Sequence, residues 1–495
     1  MTGWSRLQSR LAWLNRHSEM ILLVLIMTAG MTILGLVTFP NYFCGRLYNM
    51  DVEHFKRLVD NYSKLKIYAP TLALPNTRFS LSVVLPAVPF YLVGGLLGIF
   101  VYQWLFVGVG AVGVYLYARE VLPRARLWPV IHFFGMWGLY SALAGNIYLE
   151  ILGPMAVPYI FYFFHRRNWL PYWLSLLYLI LAKENFGLWA AFVCIGLWML
   201  YRKRLTKKEK TILVVSMILS LTASIVQLLL SIYLFSDHFF GIKVTHTYRH
   251  LLADNPLRPT RYADKGWDIV RQILCNWKYY FIMLFEPTSD VYAHQPQQLI
   301  GVKSEGHISI LVSGGWSFFI NWAFMVMAIP VYLYKFLTTE SQAWGTLVHY
   351  SVEYAVLLPL SVIWVMKQVA ENKMWIIGLV SAFLAHFMNY SLTEERLSIW
   401  YFPEFTKWYS CIHYCRLEKY RSLKLAATYM PKDKPFYVEI RHMPYLDLPN
   451  LKLYKGIQEA EYAYIVKEGY FALPLDSLRK LISSGEWEQI YDSYY

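Results

Sequence analysis

The chain has 495 residues, of which 57% are hydrophobic and 18% are aromatic, and only 16% are charged. Soluble globular domains carry about 25% charged residues, so this composition excludes an ordinary water-soluble protein and indicates a surface that faces lipid. The net charge of +14 is concentrated in the loop 202–210, where six lysines and arginines stand between apolar stretches. That pattern is typical of a cytoplasmic loop, and it argues against a nucleic-acid interface.

The apolar stretches predict an all-α polytopic membrane domain over residues 1–390, with about eleven transmembrane helices. The expected spans are 20–38, 99–118, 128–144, 152–164, 170–182, 187–201, 212–235, 268–286, 314–335, 351–369 and 374–390. The first span follows Arg6, Arg10 and Arg16, as a signal peptide would, but no small-residue cleavage site follows it. We therefore expect it to remain as an uncleaved first helix.

The distribution of basic residues predicts the orientation of the chain. With a cytoplasmic N-terminus, the basic loops at 119–126, 166–167 and 202–210 all fall on the cytoplasmic side. Four regions then face outside, namely the loop 40–97, the stretch 236–265, a short loop ending at His349 and Tyr350, and the segment 391–495. In the first of these, the apolar stretch 80–98 predicts a re-entrant or interfacial element. If 268–286 were an interfacial helix and did not cross the membrane, the predicted orientation of every later segment would be reversed.

The C-terminal segment 391–495 has a different character. Apolar runs give way to alternating patterns with turn signals, as in KPFYVEI and AEYAYIV, which predict short strands. A helix is expected from Pro474 to Ser484, since proline suits the first helical position. The segment therefore predicts a small extracytoplasmic α/β domain of about a hundred residues, without a glycine-rich phosphate loop.

The first outer loop carries the candidate catalytic residues Asp51 and Glu53, in the sequence NMDVEHF. Side chains two residues apart share a face on an extended segment but not on a helix. A carboxylate just outside the bilayer could act as a general base on an acceptor hydroxyl, or bind a divalent metal. The alternative is an ordinary solvated acid. The five cysteines have no metal-site spacing with histidines.

Three further motifs place polar residues at the outer ends of spans, where such residues are costly and often functional. Lys183 and Glu184 lie in AKENFG, Glu150 lies in NIYLE, and His349, Tyr350 and Glu353 lie in HYSVEY. A lysine there could hold a phosphate, with the acids orienting it. A snorkelling lysine and a structural histidine are the alternatives. We predict that these residues bind substrate.

The predicted position of the four motifs favours one class of function over the others. All four lie at the outer face, whereas a transporter places its ionisable groups near the midplane, often within repeated halves. A boundary site suits an enzyme whose donor has a lipid tail and a polar head. A transporter or flippase of a lipid-linked or anionic solute, and a non-catalytic assembly factor, remain the alternatives.

The order of the motifs resembles a known family. The series YNMDVEHF, NIYLE, AKENFG, HYSVEYAVLLP and ATYMPKDKPFYVEI with AEYAYIV is similar to an uncharacterised family of bacterial and archaeal predicted membrane proteins, grouped with GT-C type glycosyltransferases. The resemblance covers most of the chain. It implies a GT-C-like membrane domain and an integral protein of the bacterial or archaeal plasma (inner) membrane.

The resemblance also implies an activity. GT-C enzymes transfer a sugar from a polyprenyl-phosphate donor to a lipid, glycan or protein acceptor on the outer face. Their first-loop acid is the base or a metal ligand, a role that carries over to Asp51, while Glu150 and the Lys183–Glu184 pair match the family's acidic and Lys-Glu positions. The implied partners are the donor, the acceptor and membrane lipids, with no nucleic acid.

This sequence departs from the family pattern at three places. Lys56 and Arg57 stand where an Asp-Gln pair is expected, Tyr148 replaces a histidine, and Asn185 replaces an aspartate. The loss of one acid and one histidine weakens a requirement for a divalent metal, Mg²⁺ or Mn²⁺, and leaves that cofactor open.

Overall fold

The structure, a computed structural model, describes most of the chain up to Glu394 and short pieces beyond it. The described residues are 3–43, 50–65, 80–144, 147–235, 275, 277–285, 296–337, 344–346, 351–394, 408–409, 425, 428, 436–438, 462–464 and 483–484. The helices are α1 (Gly3–Phe43), α2 (Met50–Ser63), α3 (Leu81–Val84), α4 (Ala87–Val121), α5 (Trp128–Gly135), α6 (Trp137–Leu143), a 3₁₀ helix (Leu149–Ala156), α7 (Val157–His165), α8 (Trp169–Ile180), α9 (Phe186–Tyr201), α10 (Lys207–Phe235), α11 (Trp277–Met283), α12 (Pro296–Ile310), a π-helical turn (Leu311–Gly315), α13 (Trp316–Ile320), α14 (Trp322–Phe336), α15 (Val352–Gln368) and α16 (Glu371–Glu394).

The helices have the length and composition of a membrane domain. Within the described ranges, four are long and apolar enough to cross a bilayer, Ser18–Phe43, Ala87–Val121, Lys207–Gln227 and Glu371–Leu392. Helices α8, α9 and α14 are apolar but shorter. Large apolar side chains such as Val93 and Ile218 are exposed on these helices, as expected where the surrounding solvent is lipid. The chain is therefore a mostly helical membrane protein, as its composition predicts.

Local sequence signals explain where several helices begin. Thr206 and Glu209 form a capping box at the start of α10, because the Thr206 backbone N–H donates to Glu209 Oε2 (2.7 Å) and the Glu209 N–H donates to Thr206 Oγ1 (3.3 Å). The side chain of Asn321 accepts from the Ala323 N–H and caps α14. A proline lies in the first turn of both α5 and α7, where its missing N–H costs nothing.

The first predicted outer loop, 40–97, contains more helix than its sequence suggested. It includes the end of α1, then α2 and α3, and the first third of α4. The apolar stretch expected as a re-entrant or interfacial element continues directly into the span that follows it. A kink at Gly95, with φ of 55°, separates the two parts of α4, and a glycine is suited to that left-handed conformation.

Two of the predicted spans are broken helices. The span expected at 152–164 begins as the 3₁₀ helix and becomes α-helical only at Val157. The span expected at 314–335 begins inside the π-helical turn, where Gly314 has φ of 125°, and it is divided at Asn321. The His132 Nε2–H donates to the Ser313 carbonyl (2.7 Å), and Ser317 Oγ donates to the Gly314 carbonyl (2.6 Å). Side chains therefore satisfy carbonyl groups at the break.

The described part of the C-terminal segment includes one pair of strands. Strand β1 (Phe436–Val438) pairs in parallel with β2 (Tyr462–Tyr464), and Phe436 lies opposite Tyr462. The strands fall within KPFYVEI and AEYAYIV. Most of the helix expected at 474–484 lies outside the described residues. An α/β domain around this strand pair therefore remains a prediction.

The helix bundle has two ends with different chemistry. At one end, Trp364 Nε1 donates to the Tyr117 hydroxyl (2.7 Å), and this hydroxyl lies 3.2 Å from the Tyr201 hydroxyl. His165 Nδ1 lies 3.0 Å from the Tyr201 hydroxyl. These contacts join the ends of α4, α7, α9 and α15, beside the basic loops at 119–126, 166–167 and 202–210. We call this the basic end. The opposite ends of the same helices form the site end.

Candidate functional site

A buried ion pair lies at the site end. Lys183 Nζ donates to Glu150 Oε1 at 2.9 Å, and the side chains are 6% and 1% exposed. Glu150 lies in the first turn of the 3₁₀ helix, and Lys183 lies in the connection between α8 and α9. The Lys183 ammonium also lies 5.8 Å from the centroid of the Tyr334 ring. Two of the motifs singled out from sequence therefore meet directly. Because burying two charges is expensive, their pairing marks this position as special.

A close approach of two backbones brings this pair together. A Cβ atom added to Gly153 would lie 2.6 Å from the Cβ of Ala182 and 2.7 Å from Cε2 of Phe186. Only glycine leaves enough room there for the 3₁₀ helix to contact the α8–α9 connection. Glu150 lies one turn before Gly153, and Lys183 follows Ala182 directly, so this contact aligns the two charged side chains.

Glu353 is the third predicted residue at this place. It lies in the first turn of α15 and interacts electrostatically with Lys183, Lys335 and Glu150. The residue is half-buried, but its Oε2 atom is buried, and among the described residues that atom has no hydrogen-bond partner. A carboxylate oxygen in that position is suited to receive a donor group from a bound ligand.

Lys335, at the end of α14, is a member of the site that sequence reasoning missed. Its side chain is fully buried, and its ammonium donates to the Gly345 carbonyl (2.7 Å) and to Ser351 Oγ (2.9 Å). It also interacts electrostatically with Glu353 and Glu305. In the sequence Lys335 ends an apolar span and looks like an ordinary snorkelling lysine. Its ammonium contacts Gly345 and Ser351, which follow it in the chain, and these contacts are not visible in the local sequence.

Two further charged residues of α12 complete the group. Lys303 is fully buried, with its ammonium 4.2 Å from the centroid of the Trp344 ring, a distance suited to a cation–π interaction. Glu305 is 6% exposed and accepts a hydrogen bond from the Thr346 hydroxyl. The buried charge cluster is defined as the six residues Glu150, Lys183, Lys303, Glu305, Lys335 and Glu353. The sequence signal for the α12 pair was KSEGH, two opposite charges just before a long apolar run.

The remaining predicted residues are less directly connected. Glu184 is half-buried; its carbonyl accepts a hydrogen bond from Ser224 Oγ, and its Oε2 atom is buried with no hydrogen-bond partner among the described residues. His349 and Tyr350 lie outside the described residues. The pairing of His349 with Glu353 on one helical face is therefore untested.

Asp51 and Glu53 lie in the first turn of α2, of which the structure describes the backbone at these two positions. On a helix, residues two apart point in nearly opposite directions. The backbone at these two positions is therefore helical, and it is not the extended segment on which the two acids would share a face. Helix α2 packs against α3 and α4, and α3 packs against the 3₁₀ helix that carries Glu150. Helix α2 thus lies at the site end.

The described residues do not form a divalent-metal site. Among them, no group of three or more His, Cys, Asp or Glu side chains is arranged to hold a metal ion. Glu150 is paired with a lysine, and Glu353 interacts with two. Lysines thus supply the positive charge next to Glu150 and Glu353.

A bundle of apolar helices with a buried charge cluster at one end defines the chain as a polytopic membrane protein. It belongs to the family of predicted membrane proteins DUF2079, which matches residues 79–415, more than half of the chain. The matched region contains the whole buried charge cluster and leaves Asp51 and Glu53 before its start. None of the curated proteins matches the sequence significantly. The membership agrees with the membrane-protein family expected from the motifs.

Proposed function

We propose that this protein is a membrane glycosyltransferase that takes a sugar from a polyprenyl-phosphate donor and transfers it to a lipid, glycan or protein acceptor. The observation that carries the proposal is the buried charge cluster. Six ionisable side chains are gathered at one end of an apolar bundle; five are buried, and Glu353 is half-buried with a buried Oε2 atom. Such burial is costly unless the site uses these groups. A lipid-linked donor can reach such a site with its tail among the helices and its polar head at the cluster.

The proposed orientation places the basic end in the cytoplasm and the site end outside. The loops with clustered lysine and arginine lie at the basic end, and such loops remain cytoplasmic. We further propose a cytoplasmic N-terminus, about eleven spans and an extracytoplasmic α/β domain after residue 390, from the number of apolar stretches and the positions of the basic loops between them. The membrane is the plasma (inner) membrane of a bacterium or archaeon.

In the proposed reaction, Asp51 deprotonates the acceptor hydroxyl, with Glu53 as the second acid of the same turn. Lys183 holds the phosphate that leaves from the anomeric carbon, since an ammonium is a compact charge for a phosphate. Glu150, Glu184 and Glu353, together with His349 and Tyr350, position the donor and the acceptor.

The experiment that tests the proposal is a transfer assay with a panel of polyprenyl-phosphate sugars and purified protein in lipid bilayers. The Asp51→Asn variant should lose transfer, by about a hundredfold or more, because general-base catalysis contributes about 10²–10⁴-fold. Glu53→Gln is the matched control from the same helical turn, and it should retain more activity than Asp51→Asn. Full activity in the Asp51 variant would exclude that residue as the base.

A carrier for a lipid-linked or anionic solute is the second candidate function. The observation that favours it is the broken helix between Pro296 and Phe336, with its π-helical turn and its second interruption at Asn321. Interrupted helices line the substrate sites of many transporters. A carrier would move a fluorescent lipid-linked sugar between the leaflets of a vesicle without forming product. Product without such movement would favour the enzyme.

A further inference from the structure

The Lys183 ammonium, which the proposed function assigns to the donor phosphate, already has an anionic partner. It donates to the carboxylate of Glu150 at 2.9 Å, and both side chains are almost completely buried. The Lys335 ammonium donates to a backbone carbonyl and to a serine hydroxyl, and it interacts electrostatically with Glu353 and Glu305. The Glu150 carboxylate therefore occupies the position beside the Lys183 ammonium that an anionic ligand would take.

The charges of the cluster make simple addition of an anion unfavourable. Its six members are three lysines and three glutamates, so the described cluster is balanced when all six are ionised. Adding a phosphate would give these six groups a net negative charge in a region of low dielectric. Exchanging the Glu150 carboxylate for the phosphate beside the Lys183 ammonium avoids that cost at this position. The displaced carboxylate must then find another partner, which lowers the apparent affinity for the ligand.

We infer that Glu150 is a built-in competitor at Lys183, which an anionic phosphate group of the ligand must displace in order to bind. This inference rests on the proposed function, which places the lipid phosphate at Lys183. It also predicts the sign of a change in affinity, which the proposed function alone does not. Removal of the Glu150 charge should tighten anion binding at Lys183. If Glu150 served instead to position Lys183 for the ligand, the same change would weaken binding.

The test measures binding and requires no transfer. The full-length protein in lipid nanodiscs is titrated calorimetrically with inorganic phosphate and, separately, with a short-chain prenyl phosphate. Glu150→Gln, which keeps the shape of the side chain, should lower the Kd for both probes by about tenfold or more, equivalent to about 1.4 kcal/mol. An effect on the prenyl phosphate alone would assign the site to a lipid headgroup, and an effect on both would assign it to the phosphate group itself.

The matched control is Glu353→Gln, because it removes one negative charge from the same cluster without touching the direct partner of Lys183. Displacement predicts a clearly larger gain for Glu150→Gln than for Glu353→Gln. The double variant Glu150→Gln with Lys183→Gln should lose the gain. Cooperative thermal unfolding of each variant verifies that it has folded.

Three results would overturn the inference. One is weaker binding in Glu150→Gln, another is an equal gain in the two glutamate variants, and the third is no binding in any folded variant, including Glu150→Gln. Transfer is scored separately with the same preparations. If Glu150→Gln binds phosphate more tightly but no donor supports transfer, the inference about Glu150 is supported and the proposed enzymatic function is refuted.

Discussion

Two described ion pairs at opposite ends of the bundle differ in burial. At the basic end, the Arg124–Glu371 pair is solvent-exposed, with side chains 74% and 54% accessible and a distance of 3.4 Å. At the site end, Lys183 and Glu150 are 6% and 1% accessible at 2.9 Å. Exposed pairs contribute about 0–1 kcal/mol and can change with little effect. Buried ones are expensive, so their presence indicates use.

Charged residues also indicate different things at the two ends of this membrane protein. The basic end has more positive than negative charges, in loops, and this excess is information about orientation. The described cluster at the site end is balanced, with three lysines and three glutamates. Balanced charge says nothing about which side of the membrane the cluster faces, but it indicates a site that is polar while its net charge stays close to zero.

The largest effect expected is all-or-none and concerns sidedness. In a cysteine-free background, a cysteine at Lys208 of the basic end should be labelled by a membrane-impermeant maleimide only from the cytoplasmic side. A cysteine at Lys64, an exposed position just after α2, should be labelled only from outside. Labelling of both positions from the same side would break the comparison between the two ends.

A large effect on stability is expected from breaking the buried pair. Lys183→Met should lower the free energy of unfolding by about 3–5 kcal/mol, because it leaves the Glu150 charge buried without its cation. The measurement is denaturant unfolding in detergent micelles. Adding Glu150→Gln to Lys183→Met should restore part of the loss. The matched control at the basic end is Arg124→Ala, for which we expect a change below about 1 kcal/mol. Equal effects at the two ends would refute the distinction.

A smaller effect is expected from the packing beneath the pair. Gly153→Ala should destabilise the protein by about 1–3 kcal/mol, because the new methyl group would overlap Ala182 and Phe186. Gly94 in α4 is the matched control, since a Cβ there would meet no atom within 4 Å, and Gly94→Ala should be close to neutral. Thermal unfolding of the two variants provides the comparison. An intact Tm in Gly153→Ala would mean that the 3₁₀ helix can move away without loss.

The sequence was sufficient for the membrane character, the family and part of the site. Hydrophobic runs of the right length indicated the helices, and isolated charges in apolar surroundings indicated Glu150, Lys183 and Glu353. These signals work because charge burial is rare enough to be conspicuous. The Glu150–Lys183 contact joins residues 33 positions apart, and only their common position at the ends of spans suggested it.

What escaped the sequence depends on long-range packing. Lys335 is buried by a segment that follows it, and Lys303 by the ring of Trp344, about forty residues further along the chain. No local pattern contains that information. The helical state of Asp51 and Glu53 was also undecided, since a short amphipathic segment can be either a helix or a loop until its neighbours cover one face.

The π-helical turn at Leu311–Gly315 fixes the register between α12 and α13. Such a turn contains one residue more than a regular α-helix would at that place, and it takes up that residue locally. A residue inserted into the regular helix between Glu305 and the turn would instead rotate Lys303 and Glu305 by about 100° relative to α13. These two side chains would then turn away from Trp344 and Thr346. A change of a single codon would thereby displace two of the six members of the cluster while leaving all six in the sequence.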